Sequence, residues 1–447
     1  MGIYFLVFFI AFLFVVSFLS EKFLFSPMCI IILSYFISTI LAISNIDLWN
    51  INLKYKTIFI ILVALFFFML GYYISSLLKK NRKKKVIQVK NIQCNIFSRF
   101  FIVVINLITV LLIFISVSKI VGKINLSNFG TKIGQYRMLN AYSENTKSIP
   151  GYLIQLYKFS LIGFYFIMFI VINNCIYQKN KREKCQKYIL EFVVCMLCQI
   201  MLALLSGGRY NIITCFLGML TIITIIASEN KEKIQKTFSF SVYWKIFICL
   251  VVVILLFSSM RSLVGRTNTE NSFTYISSYF GGSIPLLDKK IDYIEIGGKQ
   301  FGYNTFFPVY RLLVKVGIAS EAGKGNLDFT TSGKLMGNVY TALYPIYKDF
   351  GVGGVCVLQF IFGFFSYVVY NYVYGSCSLD KKHIITIILY AMHVSAFYLN
   401  SYSETFFSYL FSQTFLLELI YCLIIYNFLF KIKLKWGKES ILWKSIK

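Results

Sequence analysis

Charge is scarce in this chain: Asp, Glu, Lys and Arg make up only 14% of its 447 residues. A water-soluble domain carries roughly 25%, so a soluble protein is excluded. Proline is also rare, with 5 residues to interrupt long helices. No Walker motif, H-E-x-x-H or G-x-S-x-G is present, so ATP hydrolysis and zinc proteolysis have no support. There is no sequence repeat, heptad or low-complexity tract. The first apolar run lacks a basic start and an A-x-A-type exit, and so reads as a retained span rather than a removable signal peptide.

Apolar residues fill the space that charge leaves. They account for 58% of the chain, with 46 Phe and 32 Tyr, and mean hydropathy is +0.71. Runs long enough to cross about 30 Å of hydrocarbon as helices recur from end to end. They fall near 2–19, 27–43, 57–78, 100–118, 152–176, 188–205, 210–228, 244–260, 350–374, 384–400 and 406–430. This pattern predicts an all-α polytopic membrane protein of about eleven transmembrane helices. Ten or twelve are the alternatives, because the second run is short and the ninth is rich in glycine. One membrane domain, 1–447, carries a single large extramembrane loop at 261–349.

The net charge of +27 comes mostly from Lys and Arg flanking apolar runs, which fits topology and anionic headgroups better than nucleic acid. Lys79–Lys85, Lys179–Lys187, Lys231–Lys236, Lys381–Lys382 and the tail from Lys431 fall on one side of the membrane. Positive-inside logic makes that side cytoplasmic, with the N-terminus outside and the C-terminus inside. Segments 44–56, 119–151, 206–209, 261–349 and 401–405 then face outward. No cysteine lies in an outward segment, so disulfides are not expected there. Cys195 and Cys198 have CxxC spacing inside an apolar span and read as packing residues.

Arginine placement carries the strongest chemical signal. The basic side holds Arg82, Arg99 and Arg182, in a setting dominated by lysine. The outward segments hold Arg137, Arg209, Arg261, Arg266 and Arg311. A guanidinium is a planar fork that binds phosphate bidentately, which an ammonium cannot do. Ser206–Gly207–Gly208–Arg209 is the sharpest local site. Ser206 is placed to cap the next helix, and Gly207 and Gly208 to let backbone N–H groups approach an anion beside Arg209. Alternatively, it is a tight interhelical turn that happens to bear a charge.

A sugar hydroxyl acting as nucleophile benefits from a general base. Asp288, Asp292 and Glu295 share a helical face that reads as solvated, and Asp349 opens a span, where N-capping is the ordinary role. Glu404 lies in the short outer turn between the last two spans. His393 and Glu418 are ionisable residues within the membrane, which makes them functional candidates, although His393 also fits a packed structural role. Lys158 is near enough to the outer interface to snorkel. No D-x-D pair appears outside, so no bound metal is expected.

These residues carry a resemblance. Leu204–Leu205–Ser206–Gly207–Gly208–Arg209 before an apolar span is similar to the "GGR" step of O-antigen and capsule repeat-unit polymerases (Wzy-type). Gly337–Asn338–Val339–Tyr340–Thr341–Ala342, Lys348–Asp349–Phe350–Gly351 and Tyr279–Phe280–Gly281–Gly282–Ser283 also resemble that family, over roughly residues 130–375. The resemblance implies a GT-C-like glycosyltransferase of the bacterial cytoplasmic membrane that needs neither cofactor nor metal. Its partners would be undecaprenyl-diphosphate-linked oligosaccharides, the bilayer and a chain-length regulator. Arg209 matches the "GGR" arginine and Asp349 the "DFG" aspartate. The family's Arg-to-Gly spacing is not met, since Gly218 follows Arg209 by nine positions, and roles tied to that spacing do not transfer. The expected catalytic set is Arg209, Asp349, Glu404 and His393. Arg137, Gly207, Gly208, Arg261, Arg266 and Arg311 are expected to bind diphosphate or glycan. An O-antigen ligase, or a flippase or transporter of lipid-linked sugar, is the alternative.

Overall fold

The computed structural model describes residues 2–78, 92, 94–142, 149–177, 182–228, 248, 251, 254–255, 257–265, 271–297, 300–323, 327–375 and 380–431, with no side-chain account for 141–142, 176–177 and 182–187. Most of the expected 244–260 span lies outside these residues, as do Arg266, Glu270 and the basic runs 79–85 and 231–236.

The chain is an all-α, multi-pass membrane protein. Eight helices among the described residues are long and apolar enough to cross a membrane. In order, the elements are α1 (Gly2–Glu21), α2 (Pro27–Ile43), α3 (Tyr55–Leu77), α4 (Ile96–Val121), α5 (Phe129–Tyr142), α6 (Gly151–Tyr177), α7 (Arg182–Leu205) and α8 (Tyr210–Ser228). The loop-rich region supplies α9 (Ser272–Gly281), α10 (Ser283–Lys290), α11 (Phe307–Lys315) and the short antiparallel strands β1 (Thr330–Ser332) and β2 (Leu335–Gly337), with Thr331 opposite Met336. The chain then continues as α12 (Leu343–Gly375), α13 (Lys381–His393), α14 (Ser395–Tyr398), α15 (Phe406–Leu410) and α16 (Gln413–Phe430).

Local signals set several of these ends. The Ser26 side chain accepts the N–H of Cys29 ahead of Pro27, and Asn95 accepts that of Phe97. The last two expected spans differ most from the sequence reading. The 384–400 run is interrupted at Val394, between α13 and α14, and ends at Tyr398, while the 406–430 run is split at Phe411–Ser412, where the Ser412 hydroxyl caps α16 by accepting the N–H of Phe415. Short polar residues bond their own backbone here, and that competes with helix propagation.

The packing of α3 on α12 depends on glycine. A Cβ on Gly71 would lie 2.1 Å from the Phe360 carbonyl oxygen, and one on Gly363 would lie 2.0 Å from that of Phe68. The two backbones therefore touch, the close approach that small residues permit between membrane helices. Deeper in the bundle, Asn106, Ser160 and Gln199 bond one another at 2.8–3.0 Å and tie α4, α6 and α7 together. Phe8, Phe12 and Leu19 on α1 and Leu111 on α4 are exposed. Apolar side chains on the outside suit a hydrocarbon solvent.

One end of the bundle collects the loops. Ser277 meets Asn45, Ser283 bonds the carbonyl of Ser401, and Ala342 bonds that of Asn400. Lys334 donates its N–H to Leu48, and Gly130 packs on Ser262. Asp288, expected on a solvated face, is buried in this assembly. Its Oδ1 accepts the Lys54 N–H at 2.8 Å and the Thr57 hydroxyl at 2.6 Å, capping the first turn of α3. The expected shared face dissolves because α10 ends at Lys290. Asp292 instead pairs with Lys54, which holds its carboxyl below the usual range, and Glu295 follows outside any helix.

Candidate functional site

The Ser206–Arg209 turn is built by helix termination. Gly207 sits at φ 70°, the left-handed region that glycine reaches without a Cβ penalty. Its N–H bonds the Leu204 carbonyl at 2.9 Å, and that of Gly208 bonds the Ala203 carbonyl at 3.2 Å. This is a Schellman closure of α7. The Ser206 hydroxyl likewise turns back to the Ala203 carbonyl. These bonds correct the expected anion nest. Both glycine N–H groups are engaged inside the turn and Ser206 does not cap α8, so Gly207 and Gly208 shape the site rather than donate to a ligand.

The closure aims Arg209 inward. Its side chain is 4% exposed, with Nη1 donating to the Phe257 carbonyl at 2.7 Å and Nη2 to the Tyr275 hydroxyl. The guanidinium carbon lies 4.3 Å from the Phe257 ring centroid, 5.3 Å from that of Tyr275 and 5.7 Å from that of Tyr279. An aromatic enclosure of this kind stabilises a partly desolvated cation. Arg261 stacks over the same Tyr275 ring at 5.6 Å. Two arginines of the segments expected to face outward therefore share one phenol.

Arg137 completes the group. A Cβ on Gly207 would sit 2.9 Å from the Arg137 Cβ, so the arginine stem rests directly on the turn. Helix α5 is held there by backbone contact, since a Cβ on Gly134 would lie 3.1 Å from Gly265 Cα. A cavity of about 150 Å³ opens beside Arg209, lined by Gly208, Tyr210, Phe257, Tyr279, Leu399 and Tyr402 among others. Tyr279 and Tyr402 stack nearly parallel, with centroids 6.5 Å apart.

The remaining candidates are dispersed. Arg311 lies on α11 beside a separate cavity. Asp349 is buried, and its carboxylate receives the N–H groups of Asn304 and Thr305, the Asn304 amide and the Thr305 hydroxyl, at 2.6–3.2 Å. Helix α12 is broken at Gly351 (φ 62°), two residues after Asp349, but the carboxylate caps neither part and instead clamps the 304–305 loop. His393 Nε2 faces Glu418 Oε2 at 2.8 Å inside the bundle. Glu404 accepts the N–H groups of Phe407 at 2.6 Å and Ser408 at 3.0 Å, and so caps α15. Burial pushes its carboxyl up to about 7. Glu404 is also close enough to Tyr210, on the cavity wall, to act on that phenol electrostatically.

Sequence reasoning gave no site role to the aromatic members Phe257, Tyr275, Tyr279 and Tyr402, although Tyr279 opens the Tyr279–Ser283 motif quoted for the resemblance. The spacing of Tyr275 and Tyr279, one helical turn apart on α9, is the only local sign of them. Among the described residues no cluster of three or more His, Cys, Asp or Glu could hold a metal ion.

Fold and site together define a polytopic helical membrane protein with an arginine-and-aromatic cavity at its loop-rich end. Comparison with family models, curated proteins and solved structures found no match for the chain.

Proposed function

We propose that this protein is a GT-C-like polymerase of lipid-linked repeat units, working at the outer face of a bacterial cytoplasmic membrane with its N-terminus outside. One observation carries the reading: Arg209 and Arg261 converge on Tyr275, with Arg137 against the same turn, at one end of the bundle. Such a group suits a diphosphate whose lipid tail lies in the bilayer. Guanidinium forks neutralise a diphosphate leaving group without a metal. Tyr279 and Tyr402 offer apolar faces against which a sugar ring can stack.

In the proposed reaction a hydroxyl of the acceptor repeat unit attacks the anomeric carbon of the donor glycan. A C–O bond forms there as the C–O bond to the diphosphate breaks, and polyprenyl diphosphate leaves. Glu404 is the best-placed carboxylate to take the hydroxyl proton. Its raised proton affinity matches a base working near neutrality, whereas Asp349 clamps the 304–305 loop and His393 faces Glu418. Purified protein given a lipid-linked repeat unit, without nucleotide sugar or metal, should produce a ladder of products. Arg209→Lys should insert normally and lose at least a hundredfold of ladder formation. Unchanged chain lengths in that variant would remove the basis of the proposal.

A further inference from the structure

A second cavity of about 380 Å³ lies between α11 and the α15–α16 junction, lined by Phe307, Arg311, Lys315, Ser408, Gln413 and Thr414 among others. Arg311 and Lys315 are four residues apart on α11 and so share one helical face. Lys158 on α6 reaches the same wall, its Nζ donating to the Thr414 hydroxyl at 3.0 Å. Three cations from two elements thus border one opening. Among the described residues none of the three forms an ion pair with a carboxylate. Glu418 acts on Lys158 electrostatically, but it is held by His393. The first turn of α16 adds its positive end.

The surroundings are those of a lipid. Leu312 on α11 lines the opening, and Val314 on the same helix, Val316 just past its end, and Leu410 and Phe411 at the end of α15 are also exposed. Below it, Leu416, Leu419, Ile420 and Ile424 make an exposed stripe along α16, at the helical spacing of a single face. The cationic mouth therefore sits at the top of an apolar track. A free anion would find the charge but have no use for the track, and a neutral or zwitterionic lipid would meet uncompensated cations.

We propose that this cavity binds the phosphate of an anionic glycerophospholipid, with Arg311 and Lys315 holding the headgroup and the α16 stripe carrying an acyl chain. Arg311 is thereby assigned to a bound bilayer lipid rather than to the site around Arg209. The assignment stands whether or not the chain polymerises glycans, because lipid retention is measured without turnover.

Native mass spectrometry of the detergent-purified protein, titrated with phosphatidylglycerol or phosphatidylcholine, tests it. One phosphatidylglycerol should be retained in preference to phosphatidylcholine. Arg311→Ala with Lys315→Ala should lower its retention at least tenfold, while Arg311→Lys with Lys315→Arg keeps most of it. Both positions are exposed, so truncation spares the core. Equal retention by the double alanine variant, or equal retention of phosphatidylcholine, would overturn the assignment. So would displacement of the lipid by millimolar inorganic phosphate, which marks a free-anion site, or by a polyprenyl diphosphate, which marks a substrate site.

Discussion

Nε2 of His393 lies 2.8 Å from Oε2 of Glu418, so the C-terminal end of α13 is tied to the second turn of α16. Rings of Tyr409 and Phe415, with centroids 5.0 and 5.8 Å from the imidazole, close over the contact. Removing one partner leaves the other's buried polar atom without its hydrogen bond, at about 1–3 kcal/mol. Glu418→Ala should therefore lower the thermal midpoint in detergent substantially. His393→Leu combined with Glu418→Leu should recover most of that loss. A double-mutant cycle reads the coupling, and strictly additive effects would mean that the two side chains do not depend on each other.

Asp349 separates structural from catalytic roles. Asp349→Ala strands the donors of Asn304 and Thr305, with a loss of about 3 kcal/mol. Asp349→Asn should do nearly as much harm, because its amide nitrogen faces donors. Limited proteolysis of the 300–306 loop reports the change. A carboxylate serving only as base would show lost turnover with an unaltered cleavage pattern.

The two glycines of the α7–α8 turn should respond differently. Gly207→Ala places a Cβ at φ 70°, at about 1–2 kcal/mol, and drives it to within 2.9 Å of Arg137. Gly208→Ala meets nothing closer than the Ser206 hydroxyl at 3.6 Å. Ladder formation should fall at least tenfold in the first variant and stay within about twofold in the second. A comparable loss in both would show that the Gly208 backbone, not the Arg137 contact, is what matters.

Glu404 predicts a pH dependence. Its folded carboxyl titrates at about 7, against an ordinary value of 4.5. The folded state therefore holds the proton more tightly between these values, and stability falls as pH rises from about 4.5 to 7 and then levels off. Glu404→Gln should flatten that part of a profile of thermal midpoint against pH. It should also abolish turnover, and because its amide nitrogen must face one of the two N–H donors it weakens the α15 cap. An unchanged slope in the variant would assign the titration to another group.

Much of the fold was legible in the chain. The expected spans 2–19, 57–78, 100–118, 152–176, 188–205 and 210–228 coincide with long helices to within a few residues. A backbone in hydrocarbon must satisfy its hydrogen bonds within the segment, so an apolar run of sufficient length has little alternative to a helix. The breaks after His393 and at Phe411–Ser412 were hidden, because apolar composition continues across both, and at the second it is the Ser412 hydroxyl that bonds the backbone on either side.

The sequence by itself determined that this protein lives in a membrane, and where most of its helices run. Those properties follow from hydropathy and helical rise, which are local. Only the tertiary structure decided that Arg209 meets Phe257 and Tyr275 while Arg311 stands at a different cavity, that Asp288 caps α3, and that Asp349 clamps a loop. These partners lie tens to hundreds of positions apart, and a side chain's chemistry is set by what packing brings against it. No periodicity in a single chain encodes that.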